Sequence, residues 1–280
     1  MLECVINVSE GRRVDVIQAL AAAAAPSLLD VHSDADHNRS VLTVIGEEAA
    51  RTVTRAAVQL IDIRDHRGVH PRFGAVDVVP FVPLGTATMI DATAARDRFA
   101  IWAADTLQVP SFLYGPNRSL PELRRSARDR HIPDVGPADP HPTAGVIAVG
   151  ARPVLVAYNV WLSDPAIDLA RRIASDLRGP AVRTLALMVG DRVQVSANLV
   201  DPLVVGPASL YDSVAARAGV ARAELVGLIP RAALEQIPSD RWDELDVGHS
   251  RTIEARLAHI GILGMSPARD PSGGGTTPAG

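Results

Sequence analysis

Residues 182–199, which read VRTLALMVGDRVQVSANL, contain the pattern that decides the fold. Two apolar runs rich in β-branched residues flank Gly190-Asp191, a pair typical of the tight turn of a β-hairpin. A strand over residues 154–161 and a helix over 165–178 precede the hairpin, and a helix over 208–218 and a strand over 224–229 follow it. The second half of the chain is therefore predicted to run in the order βαββαβ.

The first half is predicted to follow the same order. Its strands are expected at residues 2–8, 27–31, 40–46 and 76–82, and its helices at 13–25 and 48–63. Two such units in tandem predict an α+β fold of two ferredoxin-like (split βαβ) subdomains, each with a mostly antiparallel sheet and helices on one face. The expected boundaries are 1–152 and 153–264, followed by a disordered tail at 265–280.

Three further segments follow the first unit. A helix is predicted over residues 88–107 and a strand over 110–114, and a long loop rich in Pro, Gly and Arg over 115–145. A loop of that length inside a compact domain is usually functional or disordered.

The composition indicates a soluble globular protein. The chain has 280 residues, 47% apolar content and a formal net charge of -4, which suits one large domain or two small ones. Neither a signal segment nor a membrane span is indicated, so we expect a cytoplasmic location and no membrane partner. Cys4 is the one cysteine; it excludes an internal disulfide and a cysteine-based zinc site, and we expect it in the core.

The basic residues exclude several functions. All 28 positively charged side chains are arginines, so the chain cannot form a pyridoxal phosphate Schiff base or a Walker A loop, both of which need lysine. Acidic residues are in excess and the arginines form no basic stripe, which argues against a nucleic-acid partner.

The densest polar cluster is RDHRGVHPRFG at residues 64–74. Gly68 and Gly74 permit unusual backbone conformations and Pro71 fixes its own φ angle, so this stretch is predicted to present His70 on a stiff, non-helical loop. Histidine is the natural candidate for taking and returning a proton near neutral pH. A surface histidine that caps a turn is the alternative.

A second cluster, HSDADHNR at residues 32–39, joins two predicted strands. In an extended chain His32, Asp34 and Asp36 would project from one face like metal ligands, whereas a solvated hairpin loop is the commoner outcome for such residues. Arg39 opens the next strand and could hold a carboxylate. One hypothesis is therefore a metal-dependent hydrolase of a small amide or amidine. Its ligands would be His32, Asp34, Asp36 and His37, with His66 or His70 nearby.

The third cluster has three prolines and two glycines, and it precedes the second predicted unit. It could be a preformed segment whose free backbone groups bind a planar heterocycle, or a plain linker. Its residues are Gly136, Pro137, Ala138, Asp139, Pro140, His141, Pro142, Thr143, Ala144 and Gly145.

Together these segments resemble the formiminotransferase family. The most specific stretch is HPRFGAVDVVPF at residues 70–81. Weaker matches keep the family's order from residue 2 to about 264: CVINVSEGR at 4–12, LLDV at 28–31, NRSV at 38–41, GAR at 150–152, AYNV at 157–160, QVSANL at 194–199 and ELVGLIP at 224–230.

The resemblance implies transfer of a formimino (or formyl) group between N-formiminoglutamate (or N-formylglutamate) and N5 of tetrahydrofolate, in histidine degradation and one-carbon metabolism. Tetrahydrofolate would be a co-substrate bound between the two subdomains, without metal or pyridoxal phosphate, and a homodimer is expected. The family's catalytic histidine falls on His70 and its folate-contacting segment on residues 136–145. Arg39 and Arg72 are the candidates for binding substrate carboxylates, by charge and by proximity in the inferred site.

The chain departs from the family pattern at two positions. His32 stands where the family has an aspartate thought to assist the catalytic histidine, and it is a further candidate for substrate binding. Ala144 stands where the animal form has a tryptophan. These departures leave open a third hypothesis, a non-catalytic module that binds folate or an acidic metabolite.

Overall fold

The structure is a computed structural model that describes residues 1–68, 72–129 and 132–262. The described residues of the first half form ten α-helices and β-strands. They are β1 (Leu2–Val8), α1 (Val14–Ala24), β2 (Leu28–Asp34), β3 (Arg39–Ile45), α2 (Glu47–Leu60), β4 (Val76–Pro83), α3 (Met89–Leu107), β5 (Ser111–Tyr114), α4 (Leu120–Asp129) and β6 (Ile147–Ala151).

The second half contains a smaller set of elements. They are β7 (Val156–Leu162), α5 (Ile167–Asp176), β8 (Val182–Val189), β9 (Arg192–Leu199), α6 (Pro207–Ala215), β10 (Val220–Val226), α7 (Arg231–Leu234) and α8 (Ile253–His259). The hairpin predicted from the sequence is β8–β9, in which Val189 pairs with Arg192 and Val182 with Leu199. Gly190 occupies its turn with a φ of 61°, a conformation that glycine adopts without strain.

Each half has its own sheet. The first has six strands in the order β2-β3-β1-β4-β6-β5, and the second has four in the order β10-β7-β9-β8. All neighbours in the second sheet are antiparallel. In the first sheet, β6 runs parallel to both β4 and β5, and the remaining pairs are antiparallel. The predicted α+β class with two sheet-containing halves is confirmed.

Each sheet buries one face beneath helices. In the first half, β1 contributes Cys4, Ile6 and Val8 to a core that α1, α2 and α3 cover. Cys4 is therefore the small core residue expected from the sequence. In the second half, α5 and α6 cover a separate apolar core. Because apolar burial is the dominant favourable term in folding, each half has a core of its own to stabilise it.

One helix departs from the predicted one-face arrangement. Leu123 of α4 packs with Val78 and Ala148, whereas the adjacent Val79 and Val149 enter the main core. Successive side chains of a strand point to opposite faces, so α4 lies on the other face of the first sheet. The prediction of one long loop over residues 115–145 is also wrong, because α4 lies within this stretch.

Element boundaries differ from the prediction in two places that matter for function. Strand β2 extends to Asp34 instead of ending near residue 31, so His32 and Asp34 are strand residues. Strand β10 begins at Val220 and ends at Val226, earlier than expected. The predicted tail at 265–280 lies outside the described residues. Within the described ranges, no helix combines the length and apolar character needed to cross a bilayer.

A carboxyl group is buried where the two halves meet. Glu3 of β1 is 3% exposed, and burial raises its pKa to about 7, with Arg152 opposing and Glu254 reinforcing the shift. Near pH 5 to 7 the folded protein therefore holds a proton that the unfolded chain has released, so this group makes the protein less stable as the pH rises through that window.

We predict that Glu3→Gln reduces this loss of stability. Between pH 5 and pH 8 the free energy of unfolding of the variant should fall by at least about 1.4 kcal/mol less than that of the wild type, the equivalent of one pKa unit. Urea unfolding at both pH values measures the difference. Glu48→Gln, at an exposed position of α2, is the matched control, and identical pH dependence in all three proteins would contradict the prediction.

Candidate functional site

A cavity of about 80 Å³ lies between the two halves. His37 and Arg39, which flank the start of β3, form its wall on the first half. The second sheet supplies the opposite wall from the face that its helices leave uncovered. The polar residues of this wall are Asn159, Gln194, Ser196 and Asn198, and Leu185, Leu187 and Val226 are among the apolar ones. Amide and hydroxyl groups on an apolar background suit a planar polar ligand.

The imidazole of His37 is fixed between an acid and an amide. Its Nδ1 lies 2.8 Å from Oδ2 of Asp34, and its backbone N-H donates to Oδ1 of the same carboxylate at 2.8 Å. Its Nε2 lies 3.3 Å from Nε2 of Gln194 on β9. Burial would raise the pKa of Asp34, but the hydrogen bonds from His37 outweigh it and hold that pKa well below its usual range.

His32 has a carboxylate partner on the second half. Its Nε2 lies 3.6 Å from Oε1 of Glu224 on β10. The other carboxylate oxygen of Glu224 accepts hydrogen bonds from Asn159 at 3.1 Å and Trp161 at 2.9 Å. Burial would raise the pKa of Glu224, yet these donors, together with His32, lower it to about 2. His32 is thus held in an ion-pairing network between the halves, and its binding of substrate stays a prediction.

Arg39 is a cation without a bound carboxylate. Burial lowers its pKa, and the negative charges of Asp34, Asp77 and Glu224 oppose that shift from a distance. No hydrogen bond or ion pair joins its guanidinium group to another of the described residues. A partly buried guanidinium beside a cavity is a strong site for a carboxylate because its planar donors match that group.

The side chain of Arg72 is also buried, with 4% of its surface exposed. Its Nη1 lies 3.4 Å from Oδ2 of Asp77, and Arg124 of α4 donates to the same oxygen at 2.7 Å. Oδ1 of Asp77 accepts from the backbone N-H of Phe73 at 2.7 Å. Burial, together with the charges of Arg39 and Arg124, lowers the pKa of Arg72 to about 10. Nε and Nη2 of Arg72 are buried and have no hydrogen-bond partner among the described residues, so these two donors are free for a ligand.

His70 lies outside the described residues, but the chain on both sides of it is placed. The side-chain amide of Asn38 donates to the carbonyl oxygen of Arg67 at 3.2 Å. Gly68 is so close to the backbone carbonyl of His37 that a Cβ atom there would clash with it. Chain on the N-terminal side of His70 therefore contacts the β2–β3 turn beside the cavity, and chain on its C-terminal side begins at Arg72.

In the segment 136–145, several backbone groups that were predicted to be free already have hydrogen-bond partners. His141 and Gly145 exchange backbone hydrogen bonds, and Nδ1 of His141 accepts from the backbone N-H groups of Thr143 and Ala144 at 3.3 and 3.0 Å. The carbonyl groups of Thr143 and Ala144 accept from Ile63 and Ala75. These backbone groups therefore have protein partners and are not free for a heterocycle. Exposed positions remain in the segment, at Ala138, Asp139, Pro140 and Pro142, and folate binding by this segment stays a prediction.

The residues of the metal hypothesis have separate protein partners. Asp34 and His37 bind each other, Asp36 pairs with Arg192 at 3.3 Å, and His32 pairs with Glu224. Nδ1 of His66 lies 3.2 Å from the carbonyl oxygen of Ser9. Across residues 1–68, 72–129 and 132–262, no three His, Cys, Asp or Glu side chains are arranged to hold a metal ion.

Several residues of the site were not identified from the sequence. Asp77 and Arg124 are 47 positions apart and meet only in the folded chain. Gln194, Ser196 and Asn198 alternate with apolar residues along β9, and this period of two was a usable signal for a polar strand face. The pattern does not say what such a face contacts, so it could not by itself locate the cavity.

Comparison with known proteins gives a consistent result. A family model described as the formiminotransferase domain, N-terminal subdomain, matches residues 1–152. The glutamate formimidoyltransferase of Streptococcus pyogenes serotype M1 is 37% identical over 84% of this chain and 90% of its own length. A protein of the same name from Thermoplasma acidophilum is 35% identical over 84% of this chain and 89% of its own. The formimidoyltransferase-cyclodeaminase of Sus scrofa is 35% identical over 84% of this chain, which spans about half (51%) of that longer protein.

The buried Asp77 should contribute strongly to stability. We predict that Asp77→Asn lowers the free energy of unfolding by about 3 kcal/mol or more, because Arg72 is then left buried without its counter-charge. Chemical denaturation measures the change. Asp168→Asn, which breaks an exposed ion pair with Arg171, is the control and should be almost neutral. Equal stability of the two variants would contradict the prediction.

Proposed function

Because the chain belongs to the formiminotransferase family, we infer that it is a folate-dependent transferase that moves the formimino group of N-formiminoglutamate to tetrahydrofolate in histidine degradation. The observation that carries this assignment is the similarity over 84% of the chain to proteins named for the activity. The cavity supports it independently, because it combines the guanidinium of Arg39, which has no ion-pair partner in the described part of the chain, with a row of amides. We propose the formimino group as the donor group in preference to formyl.

The reaction needs groups that move two protons and bind carboxylates. N5 of tetrahydrofolate attacks the amidine-like carbon and forms a new C-N bond, and the bond from that carbon to the glutamate nitrogen breaks. One proton leaves the attacking nitrogen and one reaches the departing amine. We propose His70 as the residue that takes the first proton and returns the second, a role that typically contributes about 10²- to 10⁴-fold.

We propose that Arg39 and Arg72 bind the carboxylates of the amino-acid substrate. Both guanidinium groups have donors without a hydrogen-bond partner among residues 1–68, 72–129 and 132–262, and Arg39 lines the cavity. Asn159, Gln194 and Asn198 offer donors and acceptors to the edge of a pteridine on the opposite wall. Holding two substrates in this arrangement converts a bimolecular step into one within the complex and contributes more than the proton transfer.

The finer parts of the assignment are proposals as well. The separate cores of the two halves support subdomains at residues 1–152 and 153–264. Folate contacts from residues 136–145, substrate contacts from His32, a homodimer and a cytoplasmic location complete the proposal. Light scattering of the purified protein tests the dimer.

We predict that the purified protein converts tetrahydrofolate and N-formiminoglutamate to the N5-substituted folate, and that His70→Ala abolishes turnover. Following the folate absorbance with each donor, with and without a chelator, measures this. Wild-type rates in His70→Ala would refute the proposed base. Loss of activity on chelation, restored by a metal ion, would favour the hydrolase hypothesis, and folate binding without turnover of either donor would favour the binding module.

Arg39→Gln should raise the KM for the amino-acid donor about 10- to 100-fold, because a charge-assisted hydrogen bond to a carboxylate is lost. The KM for tetrahydrofolate should change less. Steady-state kinetics with each substrate varied in turn separate the two effects. Arg171→Gln removes an exposed arginine of α5 and should leave both constants unchanged. An unaltered donor KM in Arg39→Gln would exclude the proposed contact.

A further inference from the structure

The turn between β2 and β3, residues 35–38, contacts three separate parts of the molecule. Oδ1 of Asn38 accepts from the backbone N-H of Gly11 at 2.9 Å, and its Nδ2 donates to the carbonyl oxygen of Arg67. On the other side of the turn, His37 faces Gln194 of the second half. The turn thus connects the second sheet with the chain that precedes His70.

The neighbours of His37 hold its side chain in a fixed orientation. It is 2% exposed, and Asp34 holds both its backbone N-H and its ring Nδ1. Nδ1 of the ring faces the carboxylate of Asp34 at 2.8 Å, and Nε2 faces the side-chain amide of Gln194 at 3.3 Å. A ring held at both ends keeps one orientation between the halves.

Gln194 joins this contact to the cavity. It is 1% exposed and lines the cavity, and its Oε1 is buried without a hydrogen-bond partner among the described residues. A buried acceptor without a partner carries a desolvation cost that a ligand N-H removes. The same side chain therefore touches His37 with one end and offers the other to a ligand.

The opposite end of the connection lies two residues before His70. Gly68 packs against the carbonyl group of His37 so closely that no side chain fits between them, and Asn38 holds the neighbouring residue, Arg67. A shift of the turn therefore has to move or loosen this part of the loop. Asn38 takes a φ of 47°, which asparagine tolerates better than most residues.

We propose that His37 and Asn38 are positioning residues: they transmit the placement of Gln194 on the second sheet to the chain at residues 67–68, which leads into His70. The consequence for catalysis rests on the proposed function, whereas the mechanical link does not. Displacing a catalytic group by about 1 Å can cost about 100-fold in rate, so a loosened turn should lower kcat more than it raises KM.

Two variants test the link at its two ends. His37→Asn can keep a donor to Asp34 and loses the contact with Gln194, and Asn38→Asp keeps the acceptor for Gly11 and loses the donor to Arg67. Asp36→Asn is the control, because Asp36 belongs to the same turn and its carboxylate makes a solvent-exposed ion pair with Arg192, which contributes little.

We expect kcat to fall about 10- to 100-fold in both variants, with each KM within about threefold of wild type. Amide hydrogen exchange of a peptide covering residues 60–75, measured without substrate, should be at least about 10-fold faster than in wild type. The control should match wild type in both measurements.

Unchanged exchange at residues 60–75 in His37→Asn would overturn the link, whatever its kcat. Faster exchange throughout the protein would also overturn it, because the effect would then be global instability. If the wild type transfers no formimino group, the proposed function fails, and the exchange measurement still decides whether the turn holds the loop.

Discussion

The alternation of side chains along β9 is the constraint on which the site depends. Val193, Val195 and Leu199 enter the core of the second half, and Gln194 and Asn198 face the cavity. A strand has only two faces, so burial of the apolar residues beneath α5 and α6 forces the amides toward the first half. The polar wall of the cavity therefore follows from the way the core of the second half is packed.

The arginines of the site differ in whether a buried carboxylate of the described chain balances their charge. Arg124 and Arg72 share the buried Asp77, whereas Arg39 has no such partner within the described chain. Leaving a guanidinium partly desolvated is unfavourable, and its lowered pKa expresses that cost. An anionic substrate would offset that cost on binding, which is the physical reason for proposing Arg39 as a carboxylate-binding residue.

Prediction from the sequence succeeded where local chemistry decides structure. The β8–β9 hairpin follows from Gly190 and the β-branched runs around it, and the register found agrees. It failed for α4, whose buried Leu123 is covered by residues from β4 and β6 that are distant in the chain. In the segment 136–145 the sequence did not show that backbone groups of residues 141–145 are bound within the segment and by Ile63 and Ala75. Tertiary partners override a local reading in both cases.

The sequence by itself determined the α+β class, the family and which residue types could carry the chemistry, because strand periodicity, turn residues and the HPRFGAVDVVPF stretch are local features of the chain. Only the tertiary structure decided that His32 pairs with Glu224 and that Arg39 faces the amides of β9. The physical reason is that ion pairs and cavities join residues more than a hundred positions apart, and their partners are fixed by the packing of two separate sheets.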